Sequence, residues 1–76
     1  MNTPDKGPAD GLNRLLRMAA LHGAETAIMI HIARGDDLNA QGNDGLTPLM
    51  LAARKNKAGA CRLLLEAGAD PTLVNY

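Results

Sequence analysis

The stretch of sequence that decides the fold is NDGLTPLMLAARKNKAGACRLLLEAGAD, residues 43–70. Its apolar spacing predicts two short helices joined by a loop, with a turn at each end. The pattern occurs once more upstream, at an offset of 33 residues that places Ala19 on Ala52 and Gly35 on Gly68. A fixed period of this size, with small residues and glycines in phase, predicts a stacked repeat and not a domain built around a single core.

Two parts of this stretch resemble the ankyrin repeat. DGLTPLMLAA, residues 44–53, is similar to the opening of that repeat, in which Thr-Pro-Leu-His precedes a Leu-Ala-Ala run, and LLLEAGAD, residues 63–70, is similar to its close. The resemblance implies an all-α domain of two stacked helix–loop–helix repeats with a β-hairpin-like finger between them. It divides the chain into a flexible tail over residues 1–10, a first repeat over about 11–43 and a second over about 44–76.

The first repeat departs from the family pattern. It lacks Thr-Pro-Leu-His and carries Arg14 and Arg17 in that region, which resembles an N-terminal capping repeat with a polar outer face. In the second repeat Met50 stands where the family has His. In the family that His side chain hydrogen-bonds the Thr hydroxyl and the neighbouring finger backbone. Met50 cannot make such a hydrogen bond, which is worth about 1 kcal/mol, so we expect a less rigid finger.

Local signals predict the helix bounds. Helices are expected over residues 12–21, 25–34 and 60–67, and another opens at Thr47 and Pro48, where Thr47 caps the free amides and Pro48 needs no N–H. The apolar sets expected to be buried are Ala27, Ile28, Ile30 and Ile32 in repeat 1, and Leu49, Leu51, Ala52 and Ala53 in repeat 2.

Composition limits the function classes. The chain has 76 residues, enough for one small domain, and its 8 basic and 8 acidic residues give zero net charge, so no field favours nucleic acid or membranes. Tyr76 is the only aromatic residue, so few large anchors are offered to a partner. The single Cys61 fits a reducing compartment, and residues 1–10 lack the apolar run of a signal peptide, so we expect a cytoplasmic location.

The resemblance also implies where a partner binds. Ankyrin proteins usually bind through the concave side, which is formed by the finger tips and the first helix of each repeat. The matching positions in repeat 2 are Asn43, Asp44, Leu46, Arg54 and Lys55, with Leu46 expected to be exposed. Applying the 33-residue offset adds Asn13, Leu21 and His22 from repeat 1. The alternative interpretation is that these are ordinary solvated positions.

Metal, cofactor and catalytic sites are not predicted. His22 and His31 are nine residues apart without a Cys or carboxylate cluster that would complete a metal site. His31 aligns with Leu64 and is expected to be partly buried and hydrogen-bonded, whereas Cys61 aligns with Ile28 and is expected to be a buried thiol. No nucleophile, base or phosphate-binding motif is present, so we expect no enzyme activity and no cofactor.

The predicted function is non-catalytic binding of another protein. A second hypothesis starts from the far end of the stack, where Leu65 and Leu73 lie at or near a face suited to a third repeat. In this hypothesis the chain is a structural or regulatory segment of a longer protein that packs on an adjoining domain, or it self-associates through that face.

Overall fold

The computed structural model describes the backbone of residues 7–73 and the side chains of residues 13–73. Four helices occupy this part of the chain: α1 (Gly7–His22), α2 (Glu25–Ala33), α3 (Pro48–Arg54) and α4 (Ala58–Glu66). No strand occurs within residues 7–73, so the prediction of an all-α fold is confirmed. Expectations about residues 1–6 and 74–76 lie outside the described residues.

The helices form two layers. Helix α1 packs on α2 within the first repeat and on α3 of the second, and α4 packs on α3 within its repeat and on α2 of the first. Each repeat is therefore a helix pair, and the second pair stacks on the first. This arrangement lets each repeat cover an apolar side of its neighbour, as stacked repeats require.

Every described helix ends in a left-handed turn. The residues with positive φ at the four helix ends are Gly23 (68°), Gly35 (78°), Asn56 (58°) and Gly68 (102°). After α2, the backbone N–H of Asp36 donates to the carbonyl of His31 at 3.1 Å. Thirty-three residues later Ala69 donates to Leu64 at 2.9 Å. Glycine and asparagine tolerate this conformation, which lets the chain reverse while the last carbonyls stay bonded.

Helix starts agree with the sequence for α2, which begins at Glu25 as predicted, and for α3, and they differ for α1 and α4. The Thr47 hydroxyl accepts from the Met50 backbone N–H at 3.2 Å and Pro48 is the first helical residue, so the predicted cap is confirmed. Helix α1 begins at Gly7, so residues 7–10 are helical and are not part of a tail. Pro8 falls in its first turn, where a missing N–H removes no helical bond. Helix α4 begins at Ala58, two residues earlier than predicted, because the preceding turn is shorter.

The core is a small aliphatic cluster in which alanines separate a few large side chains. Its buried members are Leu16, Ala19 and Ala20 of α1, Ile28 of α2, Ala52 of α3, Ala60 and Leu64 of α4, and Ala69. The small residues let the helix axes approach, and Leu16, Ile28 and Leu64 fill the remaining space with no exposed surface.

Some residues expected in the core are exposed. Ile30 is 54% exposed and Ala53 is also exposed, because each lies on an end of the stack where none of the described residues covers it. Leu15 and Met18 of α1 are likewise 57% and 47% exposed. Arg14 is exposed, as expected for a capping repeat, but repeat 1 also exposes these apolar side chains on its outer side.

The loops that follow α2 and α4 share one hydrogen-bond scheme. Asp37 Oδ1 accepts from the Asn39 backbone N–H at 2.9 Å, and Asp70 Oδ1 accepts from the backbone N–H and hydroxyl of Thr72 at 2.8 and 2.6 Å. Asn39 Oδ1 accepts from the Asp70 backbone N–H at 2.8 Å, which ties the two loops together. The hydroxyl of Thr72, and secondarily its N–H, lowers the pKa of Asp70 below its ordinary value.

The left-handed turn after α2 predicts a conformational cost for any Cβ at Gly35. Nothing lies within 4 Å of a Cβ built there, so the cost of Gly35→Ala is purely that of the backbone. A left-handed L-residue costs about 1–2 kcal/mol and the stiffer unfolded chain returns about 0.4–1, so the free energy of unfolding should fall by about 1 kcal/mol. Denaturant titration measures it. Gly35→Asn is the control and should lose less, as Asn56 already adopts this turn; equal losses would contradict the explanation.

The Asp70–Thr72 contact predicts a pH effect of known sign. Thr72→Val keeps the shape of the side chain but removes the hydroxyl donor, so the pKa of Asp70 should rise toward its ordinary value of about 3.9. Carboxyl NMR titration measures this. Because the pKa of Asp70 is depressed in the folded protein, its contribution to stability is fully present above the ordinary pKa. That contribution is lost as pH falls through the folded pKa. An unchanged Asp70 pKa in the variant would assign the shift to another cause.

Candidate functional site

A short finger connects the two helix pairs and closes on its own hydrogen bonds. The backbone N–H of Gly42 donates to the Leu46 carbonyl at 3.1 Å, and the N–H of Gly45 donates to the Gly42 carbonyl at 2.9 Å. Asp44 Oδ1 accepts from the Leu46 N–H at 3.0 Å. Gly45 takes a positive φ of 80°, which permits the tight reversal. These bonds leave Asn43 and Asp44 exposed at the tip.

Arg17 brings the surface of α1 to this finger. A Cβ built on Gly42 would lie 3.2 Å from Arg17 Nε and 3.2 Å from Asp44 Oδ1, so both side chains approach Gly42 from the side where a Cβ would project. Because glycine has no side chain, the guanidinium can lie against the finger backbone. The finger tip and the first helix therefore share one continuous surface.

A stripe of half-buried residues continues this surface along the first helices. Asn13, Arg17 and Leu21 are spaced by four residues on α1, which puts them on one helical face. The same face of α3 carries Met50, which is half-buried, and Arg54, which is exposed. At the ends of these helices His22 and Lys55 are also exposed. Of the predicted positions, Asn13 and Leu21 thus lie on one face of α1 and Arg54 on the matching face of α3, and the four-residue spacing adds Arg17 and Met50 to them.

Leu46 does not belong to the exposed surface. Only 8% of it is accessible, so the expectation of an exposed apolar contact at this position is wrong. Its backbone pairs with Gly42, and it directly precedes Thr47 and Pro48, both fully buried. The base of the finger is therefore anchored in the protein interior, where burial of a leucine stabilises the fold by roughly 1.5–3 kcal/mol.

Two other predicted side chains have different outcomes. His31 is buried, and its Nδ1 lies 2.8 Å from Asp36 Oδ2, so the prediction of a hydrogen-bonded histidine is confirmed. Arg34 Nη2 lies 3.7 Å from the same carboxylate oxygen.

Cys61 is a free thiol that is only half-buried, because the side of α4 that carries it is at the end of the stack. The equivalent Ile28 is covered by the second repeat and has no exposed surface.

Within the described residues, other kinds of site find no support. No group of three or more His, Cys, Asp or Glu side chains among them is arranged to hold a metal ion. None of the four described helices is both long and apolar enough to cross a membrane. What the described surface offers is a mixture of exposed polar groups and half-buried apolar ones.

The fold and this surface define a helical repeat protein of the solenoid class. A family profile described as "Ankyrin repeats (3 copies)" matches residues 1–75, and the chain belongs to this family. Ankyrin repeats are generally protein–protein interaction modules, and nothing in the described residues indicates catalysis.

Several curated proteins are similar to the chain over part of their length. Ankyrin repeat protein FPV219 of fowlpox virus (strain NVSL) is 36% identical over 61 residues, which are 80% of this chain and 14% of that protein. Protein phosphatase 1 regulatory subunit 12A of Mus musculus is 38% identical over 60 residues, 79% of this chain and 6% of the subunit. Protein lin-12 of Caenorhabditis elegans is 48% identical over 44 residues, 58% of this chain and 3% of lin-12. The chain therefore spans a small fraction of each relative.

The burial of Leu46 predicts that it supports the fold. Leu46→Ala removes a buried side chain and leaves a cavity, so the free energy of unfolding should fall by about 2–3 kcal/mol. Leu15→Ala is the matched control, since Leu15 is 57% exposed, and it should change that free energy by less than about 0.5 kcal/mol. Denaturant titration of dilute samples measures both. If the two substitutions had equal effects, Leu46 would not be an anchor of the finger.

Proposed function

We propose that this chain is a non-catalytic protein-recognition module that binds another protein through one side of the stack. The binding side, here called the recognition surface, consists of Asn43, Asp44, Asn13, Arg17, Leu21, His22, Met50, Arg54 and Lys55. The proposed binding requires no cofactor. A free, half-buried thiol at Cys61 is compatible with a reducing compartment, and we propose a cytoplasmic location.

The observation that carries this proposal is the contact of Arg17 with the finger. The Arg17 guanidinium lies against Gly42 beside the Asp44 carboxylate, so residues from α1 and from the finger form a single surface. The finger is closed by its own backbone bonds and anchored by buried Leu46. A surface held in place before binding loses less conformational entropy when a partner docks.

The chemistry of the recognition surface indicates the kind of partner. Arg17, Arg54 and Lys55 are cationic and only Asp44 is anionic, while Leu21 and Met50 supply apolar area between them. A protein segment with carboxylates flanking an apolar side chain complements this pattern. Two repeats offer little area, so the contact would bury about 1,000 Å² or less, which is typical of weak or transient complexes. The likeness to part of a phosphatase regulatory subunit supports a binding role.

Selection from a displayed library tests the recognition surface and requires no named partner. Protein segments in the library are enriched on the wild-type chain, and the affinities of the enriched binders are measured against variants. Arg54→Glu and Arg17→Glu should each weaken binding at least tenfold, because both replace attraction to a carboxylate with repulsion. Competition between binders should be mutual, since they share one surface.

The matched control is Met29→Lys, which changes an exposed residue of α2 outside the recognition surface. It should leave binding unchanged, and circular dichroism should show that all three variants keep the wild-type helix content. Binders that tolerate both charge reversals but fail on Met29→Lys would place the binding site on the α2–α4 side and refute the proposed surface.

A further inference from the structure

Comparison of positions 33 residues apart shows that repeat 1 has an apolar side that none of the described residues covers. We call this side the N-face and define it as Leu15, Met18 and Ile30, which are 57%, 47% and 54% exposed. Their equivalents in repeat 2 are buried or half-buried: Pro48, Leu51 and Leu63. The contrast arises because the first repeat covers these positions of the second. The N-face is therefore a surface of the kind that packs against a preceding repeat.

The opposite end of the stack carries a second uncovered side. We call it the C-face and define it as Ala53, Cys61 and Leu65, which line an open, mainly apolar groove of about 610 Å³. Leu65 is 46% exposed. Their equivalents in repeat 1, which the second repeat covers, are Ala20, Ile28 and Ile32; the first two have no exposed surface. The C-face is the kind of surface that packs against a following repeat.

We propose that the N-face of one copy of this chain binds the C-face of a second copy, head to tail. Such a pair continues the contact that already joins repeat 1 to repeat 2 inside the chain. Two of the three C-face positions keep a similar side chain across the new contact, since Ala53 replaces Ala20 and Leu65 replaces Ile32, while Cys61 replaces the larger Ile28. On the other copy, Leu15, Met18 and Ile30 occupy the positions of three residues that are also apolar in the internal contact, Pro48, Leu51 and Leu63. A second copy thus meets both faces with the packing that the fold already uses.

A smaller groove inside the chain shows the match in detail. It measures about 300 Å³ and is lined by Met29, Ile32 and Ala33 of α2 and by Leu63, Glu66 and Ala67 of α4. Adding 33 to the α2 positions gives Arg62, Leu65 and Glu66, and all three line the C-face groove. Subtracting 33 from the α4 positions gives Ile30, Ala33 and Arg34 on the second copy. The pair therefore forms a groove at the junction in the same place, with Arg62, Glu66 and Arg34 in place of Met29, Ala33 and Ala67.

Charge supports the same orientation. In the groove at the junction, Glu66 of one copy and Arg34 of the other occupy the positions of Ala33 and Ala67. Ala33 and Ala67 line the smaller groove inside the chain. These side chains have opposite charges, and the Arg34 side chain is 46% exposed, with its Nη2 3.7 Å from Asp36 Oδ2. The whole chain has zero net charge, so no long-range repulsion opposes association. Arg14, at the position of buried Thr47, can keep its guanidinium at the rim because its stem is long.

This contact is heterologous, since it joins two different faces. Both faces remain available at the ends of a pair, so assembly extends into short linear stacks as concentration rises. It is weaker than the internal contact, because two separate molecules lose translational and rotational freedom on association.

Sedimentation of complementary variants tests the proposal. The wild-type chain should show a weight-average mass that rises with concentration up to about 1 mM. Leu15→Lys blocks the N-face and Leu65→Lys blocks the C-face, so each variant alone should remain monomeric. An equimolar mixture of the two should form a discrete one-to-one dimer that does not extend, because each variant keeps one intact face.

Other variants keep the test decisive. Met29→Lys, which changes an equally exposed apolar residue outside both faces, should associate like the wild type. Met18→Glu and Ala53→Glu form a second blocking pair if either lysine variant loses helix content. A wild type that stays monomeric at about 1 mM overturns the proposal. A mixture of blocked variants that stays monomeric while the wild type associates overturns the head-to-tail orientation.

Discussion

The close approach of α1 and α3 is the contact that the rest of the structure depends on. Buried alanines, Ala19 and Ala20 on α1 and Ala52 on α3, keep the two helices close enough for Leu16 and Ile28 to be fully covered. Neither helix pair could enclose these side chains alone, because a pair of short helices has too little surface to bury its own apolar faces. The finger, its exposed tip and the stripe along the first helices all take their positions from this stack.

Local chemistry in the sequence predicts the repeated unit well. Glycine or asparagine at each helix end, and Thr47 before Pro48, act over a few residues and do not depend on distant contacts. The positions of Ile30 and Leu46 could not be predicted in the same way. A period shows which residues are equivalent, but exposure also depends on whether a neighbouring repeat is present, and Ile30 has none described beside it.

The candidate site was likewise predicted only in part from the sequence. The family resemblance points to the finger and the first helices, and the offset of 33 residues extends that prediction from repeat 2 to repeat 1. It does not reveal that Arg17 lies against Gly42, because that contact depends on the missing side chain of a glycine and on the packing of α1 beside the finger. Recognition and self-association would use different sides of one stack, so both can operate in the same molecule.

Native-state hydrogen exchange tests the dependence on stacking most directly. In dilute samples the slowest amides of α1 and α2 and those of α3 and α4 should share one free energy of opening, equal to that of global unfolding. Ala52→Gly, which weakens the α1–α3 contact, should lower both by the same amount. If α3 and α4 kept high protection while α1 and α2 opened separately, the second repeat would be stable by itself and the stacking contact would not hold the structure together.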